Sequence, residues 1–270
     1  MIDFTITQYK ELLVSLQNAG YSIQTFEEFI NNPKSNSVIL RHDVDLLPKN
    51  SLRFAKMQAE MGIKGSYYFR AIPESWDIQI IKEISDLGHE VGYHYENMDT
   101  TFTKLKVEKN SKLYDNLINL AYEDFCFNLE KLRKLVNVKT ICMHGSPRSK
   151  FDNKEIWTKY DYKKLGIIGE PYYDVNFDEV FYLTDTGRRW DGWKTSVRDK
   201  VPQQKEWIKQ GLVFHSTNDI IKAAKNNKLP NQIMFTMHLQ RWTNNPILWT
   251  KELVLQNVKN QVKRFLVKSN

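Results

Sequence analysis

Two carboxylates end an apolar run near the start of the chain. The segment VILRHDVDLLPK, residues 38–49, carries Asp43 and Asp45 shortly after Val38–Leu40. Side chains two positions apart share one face of an extended strand, so both carboxylates point the same way. Neighbouring carboxylates repel each other and lose hydration unless a positive charge lies between them. The pattern predicts a cation at this strand end, with capping of the helix that begins at Pro48 as the simpler alternative.

Three histidines, His94, His144 and His238, stand at or near the ends of other strand-like runs. A carboxylate with one or two neutral imidazoles suits Zn²⁺ or a similar ion that keeps one position open for water. Such an ion lowers the pKa of water from 15.7 to ~7, a second carboxylate can take the proton, and another imidazole can return one to the leaving group. These carboxylates and histidines together predict metal-assisted hydrolysis of an amide or ester.

Each histidine also has a simpler interpretation. His144 could lie in a tight turn where the imidazole only binds backbone, and His238 could be a buried histidine bonded to a carbonyl. His89 lies five positions before His94 and projects from the opposite strand face, so we predict a structural histidine there rather than a second ligand.

Strand-like and helical patterns alternate along most of the chain. This alternation is typical of an α/β protein with a parallel sheet, in which the chemistry lies at the carboxyl ends of the strands. The predicted strands are Val38–His42, Ser66–Phe69, His89–Tyr95, Thr140–Met143, Gly166–Gly169, Glu179–Thr184 and Ile233–His238. The terminal helix is predicted to turn Leu255, Val258, Val262 and Phe265 inward.

Composition narrows the class of protein. The 270 residues contain no Gly/Ser/Pro-rich linker, so we predict one domain over residues 1–270, with residues 1–36 as a helical segment packed on it. The net charge of +7 comes from scattered lysines without a nucleic-acid-binding module, so nucleic acid is not an expected partner. No segment approaches the ~20 apolar residues of a membrane span, and MIDFTITQYKELL lacks the apolar core of a signal peptide. With Cys126 and Cys142 as reduced thiols, these features predict a cytoplasmic protein and leave the oligomeric state open.

Three motifs resemble a known family. RHDVD, GHEVGYHYEN and IMFTMHLQRW resemble the first, second and last motifs of the NodB-like polysaccharide deacetylases, carbohydrate esterase family 4, and in particular a divergent branch associated with O-antigen and surface polysaccharide synthesis. The resemblance implies a distorted (β/α) barrel, a divalent metal and removal of an acyl group from an N-acylated sugar. It implies Asp43 as base, Asp45 and His94 as metal ligands, and His238 as general acid.

The chain departs from this family at the position of the usual second histidine ligand, which is Met98 here. His144 at another strand end is the preferred third ligand, and Glu96, which shares the face of His94, is its rival.

Further residues are candidates for substrate binding. Arg148 lies in CMHGSPRSKFD, where the family's arginine-bearing motif is not reproduced. In TDTGRRWDGW, we expect Arg188 or Arg189 to meet a carboxylate or phosphate of the substrate, and Trp190 or Trp193 to meet a sugar face.

The predicted function is removal of an acyl group, with N-acetyl first, from an amino sugar that is nucleotide-linked or lipid-linked. The expected cofactor is zinc, with cobalt, nickel or manganese as alternatives. Two rival functions remain: hydrolysis of a non-sugar cyclic amide on the same scaffold, and a metal-free protein that binds glycans or assists their assembly.

Overall fold

The central feature of the structure is a sheet in which every neighbouring pair of strands is parallel. The structure is a computed structural model that describes residues 2–105, 116–145, 149–191 and 201–268, with the side chains of the last helix described through Gln261. Within these ranges the strands are β1 (Ser22–Gln24), β2 (Ser37–Val44), β3 (Ser66–Phe69), β4 (Glu90–Tyr95), β5 (Ile141–Met143), β6 (Val180–Thr184) and β7 (Gln232–Met237).

Six strands follow the order β5-β4-β3-β2-β7-β6, and β1 pairs with β2. Because β7 takes one edge of β2, β1 and β3 share the other edge, β1 along Ser37–Ile39 and β3 along Arg41–Val44. All eight residues of β2 are buried, as expected for the central strand of a covered parallel sheet. The predicted α/β fold is confirmed: the parallel strands form one curled half-barrel sheet with helices, consistent with the predicted distorted (β/α) barrel.

Helices connect the strands and cover the sheet. They are α1 (Ile6–Asn18), α2 (Phe26–Asn31), α3 (Pro48–Glu60), α4 (Ile78–Asp86), α5 (Asn97–Lys104), α6 (Leu117–Arg133), α7 (Pro171–Asp174), α8 (Gln204–Lys209), α9 (Thr217–Lys225) and α10 (Pro246–Lys268). None of these helices, over the residues described, combines the length and apolar character needed to cross a bilayer.

Two predictions are wrong, one about a strand and one about the buried side of the terminal helix. Gly166–Gly169 is not a strand: a 3-10 helix (Tyr162–Leu165) precedes it, and Gly169 forms only an isolated bridge with Thr140. The terminal helix α10 exposes 43% of Leu255 and 59% of Val258 instead of burying them.

Hydrogen bonds explain the orientation of α10. The side facing the protein carries Trp249, whose indole N–H donates to the carbonyl of Asp3, and Asn260, whose amide donates to the carbonyl of Gly187. Val262 and Phe265, also predicted to face inward, lie outside the described side chains.

Successive side chains of β2 point to opposite faces of the sheet, so the polar residues of this strand are divided between two faces. Arg41 and Asp43 lie on one face, whereas His42 lies on the other and is fully buried among α1, α3 and β3. His42 Nδ1 lies 3.1 Å from the carbonyl of Ser66, so this nitrogen carries the hydrogen, and Nε2 accepts from Tyr9 Oη at 2.8 Å and Gln58 Nε2 at 3.0 Å. Burial lowers the pKa of His42 to about 3, although the Ser66 carbonyl acts in the opposite direction.

We predict that His42 makes the free energy of unfolding depend on pH. The unfolded chain binds a proton at the ordinary pKa of 6.5, whereas the folded protein resists protonation down to about 3. The stability contributed by neutral His42 is therefore complete above pH 6.5 and is lost as the pH falls toward 3, by up to ~1.4 kcal/mol per pH unit.

Urea titrations at about pH 6 and about pH 5 measure this slope. Other buried groups act in the same direction, so the comparison is with His42→Gln, which retains a donor and an acceptor. In the variant, the free energy of unfolding should depend on pH less steeply, by close to the ~1.4 kcal/mol per pH unit that one proton contributes. An unchanged slope would exclude His42 as the cause.

Candidate metal centre

The carboxyl ends of β2, β4, β5 and β7 meet at one rim of the sheet. Asp43 and Asp45 come from β2 and the residue after it, and His238 directly follows β7. β4 and β5 pair with His94 opposite Cys142 and Tyr95 opposite Met143. The next residue on the β5 side is therefore His144, whose backbone N–H donates to the carbonyl of Tyr95 at 2.8 Å.

Asp45, His94 and His144 converge on one point. Asp45 Oδ1 lies 3.6 Å from His94 Nε2 and 3.6 Å from His144 Nε2, and one ligand atom from each side chain lies within 4.8 Å of the other two. This oxygen is buried and has no hydrogen-bond partner. Burial raises the pKa of Asp45, but His144, His238 and His94 outweigh burial and hold it below its usual value. An ionised carboxylate with an orphaned buried oxygen fits a cation.

In both imidazoles Nδ1 faces another group of the protein, a carbonyl for His94 and a carboxylate for His144, which leaves Nε2 for such an ion. His94 Nδ1 lies 2.9 Å from the carbonyl of Cys142, so Nδ1 carries the hydrogen and Nε2 presents its lone pair toward Asp45. His144 Nδ1 makes a short 3.1 Å contact with Glu96 Oε2, and its Nε2 faces Asp45. Metal-binding histidines in proteins usually have their second nitrogen held in this way. Burial lowers the pKa of His94 to about 4, which keeps the ring neutral, as a ligand must be.

Glu96 holds other groups in place and does not offer a free oxygen. It accepts from Arg70 Nε at 3.0 Å and from Arg70 Nη2 at 2.6 Å, and one of its oxygens also faces His144. Burial raises the pKa of Glu96, but His144 and Arg70 bring it down to about 2. The geometry therefore favours His144 over its rival Glu96 as third ligand. Met98 is buried in the first turn of α5 and is not among these converging groups.

Asp43 is held by an arginine from its own strand. Arg41 donates from Nε to Asp43 Oδ1 at 2.8 Å and from Nη2 to Asp43 Oδ2 at 2.6 Å. Burial raises the pKa of Asp43, but Arg41 outweighs burial and the carboxyl stays ionised. Asp43, His94 and Cys142 also form a compact set of possible ligands. Since both oxygens of Asp43 are engaged by Arg41, the Asp45 set is better suited to an ion.

The capping alternative for these aspartates is wrong. The residue that precedes α3 is Leu47, and no side chain makes a capping hydrogen bond there.

His238 is fixed by Asp185, which directly follows β6. His238 Nδ1 lies 2.6 Å from Asp185 Oδ1, and Nε2 lies 3.8 Å from Asp45 Oδ2. Asp185 is fully buried and also accepts from Trp242 Nε1 at 2.7 Å and Arg241 Nη1 at 3.2 Å. Burial and Arg241 lower the pKa of His238, but Asp185 outweighs them and raises it above its ordinary value. The histidine is thus bonded to a carboxylate rather than to a carbonyl.

His89 is a structural histidine, as predicted. Its Nδ1 accepts from the N–H of Gly65 at 3.1 Å, and its Nε2 donates to the carbonyl of Ala55 at 2.9 Å.

The predicted substrate contacts are wrong for two residues, Trp190 and Arg188. Trp190 is 3% exposed and packs against Phe4, Phe235 and Trp242, so its ring faces are not available to a sugar. Arg188 is 6% exposed; it donates to the carbonyl of Trp249 at 2.8 Å and stacks on the ring of that residue.

The other proposed substrate contacts are Arg189, Arg148 and Trp193. Arg189 is engaged by Asp191 at 2.8 Å and 3.0 Å. Arg148 and Trp193 lie outside the described residues.

Sequence reasoning missed the groups that hold the site in place: Arg41, Arg70, Asp185 and Arg241. One signal was present, because Arg41 has the same spacing from Asp43 as Asp43 has from Asp45 and so shares their strand face. Asp185 lies in TDTGRRW, where an aspartate is equally typical of a turn.

Comparison with known proteins identifies structural similarity at low identity. No protein-family model and no curated protein matches the sequence. A mutant of BA3943, a CE4 family pseudoenzyme with restored enzymatic activity, is 13% identical with a TM-score of 0.42, covering 86% of this chain and 65% of that chain. Wild-type BA3943, a CE4 family pseudoenzyme from Bacillus anthracis, is 13% identical with a TM-score of 0.41, covering 86% and 63%. This chain thus spans less than two thirds of their length, and the similarity assigns no role to its residues.

We predict that Asp45→Asn and His144→Gln each lose a bound divalent ion, because each removes one of the three converging ligands. Glu96→Gln should retain the ion with affinity reduced ~10–100-fold, the usual effect of removing a group that orients a ligand. Elemental analysis and calorimetric titration of zinc into metal-free protein measure both quantities.

Asp43→Asn and Cys142→Ser are the matched controls for the competing ligand set. Both should retain the full metal content of the wild type. Loss of the ion from these two variants, with retention in Asp45→Asn, would assign the site to Asp43, His94 and Cys142 instead.

Proposed function

We propose that this protein is a metal-dependent hydrolase that removes an acyl group, with N-acetyl as the first candidate, from an amino sugar. One observation carries the proposal: an orphaned carboxylate oxygen of Asp45 faces two imidazoles, with an arginine-held carboxylate and an aspartate-held imidazole beside them. This is the inventory that hydrolysis of an amide requires. The motifs that resemble the NodB-like deacetylases supply the sugar as the proposed substrate class.

Asp45, His94 and His144 would hold the ion. The donor set of one carboxylate and two neutral imidazoles suits zinc, cobalt, nickel or manganese, with zinc as our first choice. When bound, such an ion supplies positive charge that makes water more acidic and polarises the acyl carbonyl.

Asp43 would accept the proton of the attacking water. Its Oδ2 lies 3.6 Å from His94 Nε2, so the carboxylate stands beside the proposed ion without needing to ligate it. Arg41 keeps Asp43 ionised and fixes the plane of the carboxylate through two parallel hydrogen bonds. A base that is ionised and oriented before substrate arrives needs no rearrangement during the reaction.

His238 would donate a proton to the departing amine. Asp185 holds its Nδ1, so Nε2 is the nitrogen that faces the centre. The raised pKa of His238 keeps the ring protonated closer to neutral pH, as a general acid requires. Asp43 and His238 approach the centre from β2 and from the end of β7, so an acyl group between them would meet base and acid from different directions.

The setting that we propose is surface polysaccharide or O-antigen synthesis in the cytoplasm, with a nucleotide-linked or lipid-linked substrate. The two rival functions make different predictions for the same assay. A cyclic-amide hydrolase would release product from allantoin-like rings and not from acylated sugars. A metal-free glycan-binding protein would release no amine from any substrate and would not acquire activity on addition of zinc or cobalt.

We predict that Asp43→Asn and His238→Asn each lower the rate of amine release ~10²–10⁴-fold, the usual contribution of a positioned acid or base. The assay uses zinc- or cobalt-loaded protein with N-acetylglucosamine, its 1-phosphate, UDP-N-acetylglucosamine, chitotetraose and allantoin. Released amine and acetate are measured separately for the acylated sugars, and formation of the ring-opened carboxylate is measured for allantoin.

His215→Asn is the matched control for His238→Asn, since the side chain of His215 is 66% exposed and pairs with Asp191 instead of facing the centre. It should retain wild-type activity. Full activity in Asp43→Asn or His238→Asn, at equal metal content, would contradict the roles proposed for these residues.

A further inference from the structure

A cavity of about 240 Å³ opens beside the candidate metal centre. It shares Asp45 with that centre and extends from the ends of β2, β3 and β7 to α10. Its lining consists of Asp45, Leu46, Leu47, Arg70, Gln240, Arg241, Glu252, Gln256 and Lys259. The volume is below the ~300–1,000 Å³ of sites for drug-sized ligands, which fits one sugar ring or one small charged group.

Positive charge dominates this cavity. Three cations, Arg70, Arg241 and Lys259, face two carboxylates, Asp45 and Glu252. Under the proposed function the charge of Asp45 is taken up by the ion, and Glu252 accepts a hydrogen bond from the Gln256 amide at 2.6 Å. Arg70 and Arg241 are each paired with a carboxylate outside the lining, Glu96 and Asp185, so the positive charge left for an anion is that of Lys259.

The three cations differ in how far they are already engaged. Arg70 is bound at two points by Glu96, and Arg241 uses Nη1 for Asp185. Lys259 makes no ion pair with any residue of the described ranges, and its side chain is exposed on α10. Lys259 is therefore the cation most available to a ligand.

Two leucines give the cavity an apolar side. Leu46 is 42% exposed and Leu47 is 62% exposed, directly after the carboxylates of β2. Leu47 also has a left-handed backbone, with φ of 54°. Such a conformation is costly for a residue other than glycine and is found preferentially at ligand sites. Here it accompanies an exposed apolar side chain at the edge of the cavity.

We propose that this cavity is a substrate subsite that takes a negatively charged group, a carboxylate or a phosphate, on the sugar whose acyl group lies at the metal centre. Lys259 is its recognition residue, and Leu46 and Leu47 contact the apolar face of the sugar. The inference rests on the proposed function for the position of the acyl group. It moves the anion contact, expected from the sequence at Arg188 or Arg189, to Lys259.

Binding to the zinc-loaded protein tests this subsite without requiring turnover. The probes are N-acetylglucosamine, its 1-phosphate and 2-acetamido-2-deoxyglucuronic acid, titrated by calorimetry. The two charged sugars should bind more tightly than the neutral one. Lys259→Gln should weaken the preferred charged sugar about fivefold, close to the upper range for an exposed ion pair, and leave N-acetylglucosamine unchanged. The charged sugar that loses more affinity in Lys259→Gln carries the group that the subsite recognises, either phosphate or carboxylate.

Lys251→Gln is the matched control, because Lys251 is an exposed lysine on the same helix and does not line the cavity. Equal effects of the two substitutions on the charged sugars would reject the subsite and indicate a general effect of net charge. An anion that binds the zinc ion directly would bind Lys259→Gln and wild type equally, which would also reject it.

The two proposals can fail separately. Tight binding of a charged sugar that depends on Lys259, with no amine released from any substrate, would retain the subsite and reject the hydrolase. Equal amine release from neutral and charged sugars, unaffected by Lys259→Gln, would retain the hydrolase and reject the subsite.

Discussion

The structure depends on neutralising four carboxylates that lie close together at one rim of the sheet. A buried carboxylate loses several kcal/mol of hydration unless a partner compensates, so each one needs a fixed positive or hydrogen-bonding group. Three of them are paired with arginines: Arg41 with Asp43, Arg70 with Glu96, and Arg241 with Asp185. Asp45 is the exception, since no guanidinium of the described residues contacts it and its Oδ1 has no hydrogen-bond partner. Of the four, Asp45 is therefore the carboxylate best suited to bind a cation.

The arginine-paired carboxylates also determine what the groups nearest Asp45 can do. Glu96 contacts Nδ1 of His144, and Asp185 binds Nδ1 of His238, so in both rings Nε2 is directed to the centre. The partners at Nδ1 and the degree of burial give His238 and His94 different chemistry. His238 is bonded to a carboxylate that raises its pKa, whereas His94 is bonded to a carbonyl and has its pKa lowered to about 4. One ring is suited to donate a proton and the other to bind a metal.

Sequence periodicity was sufficient to predict the fold and the residues nearest Asp45. The strand ends of a parallel sheet meet at one rim, and polar residues at the end of an apolar strand are easily recognised in the sequence. Periodicity was insufficient for the supporting groups. Arg70 and Arg241 follow strands in segments whose conformation depends on long-range packing, and an arginine there is equally typical of a solvated surface. Trp190 shows the converse error: a loop that mixes charge and aromatic rings suggests sugar binding, but here the indole completes the core between Phe4 and Phe235. Nothing in the local pattern distinguishes these two outcomes.

The register of the sheet explains why His144, which follows β5, stands beside Asp45 and His94 rather than a residue of α5. A ligand four residues after His94 would have to come from the first turn of α5, where Met98 instead buries its side chain and its N–H donates to Asn153. β5 lies directly beside β4, and its pairing places His144 next to the residue that follows Tyr95. A side chain there can approach the same point from a neighbouring strand, and Glu96, already held by Arg70, is positioned to orient it. The candidate centre thus combines one carboxylate with two imidazoles that come from the ends of different strands, which explains why spacing within a single motif did not identify the third group.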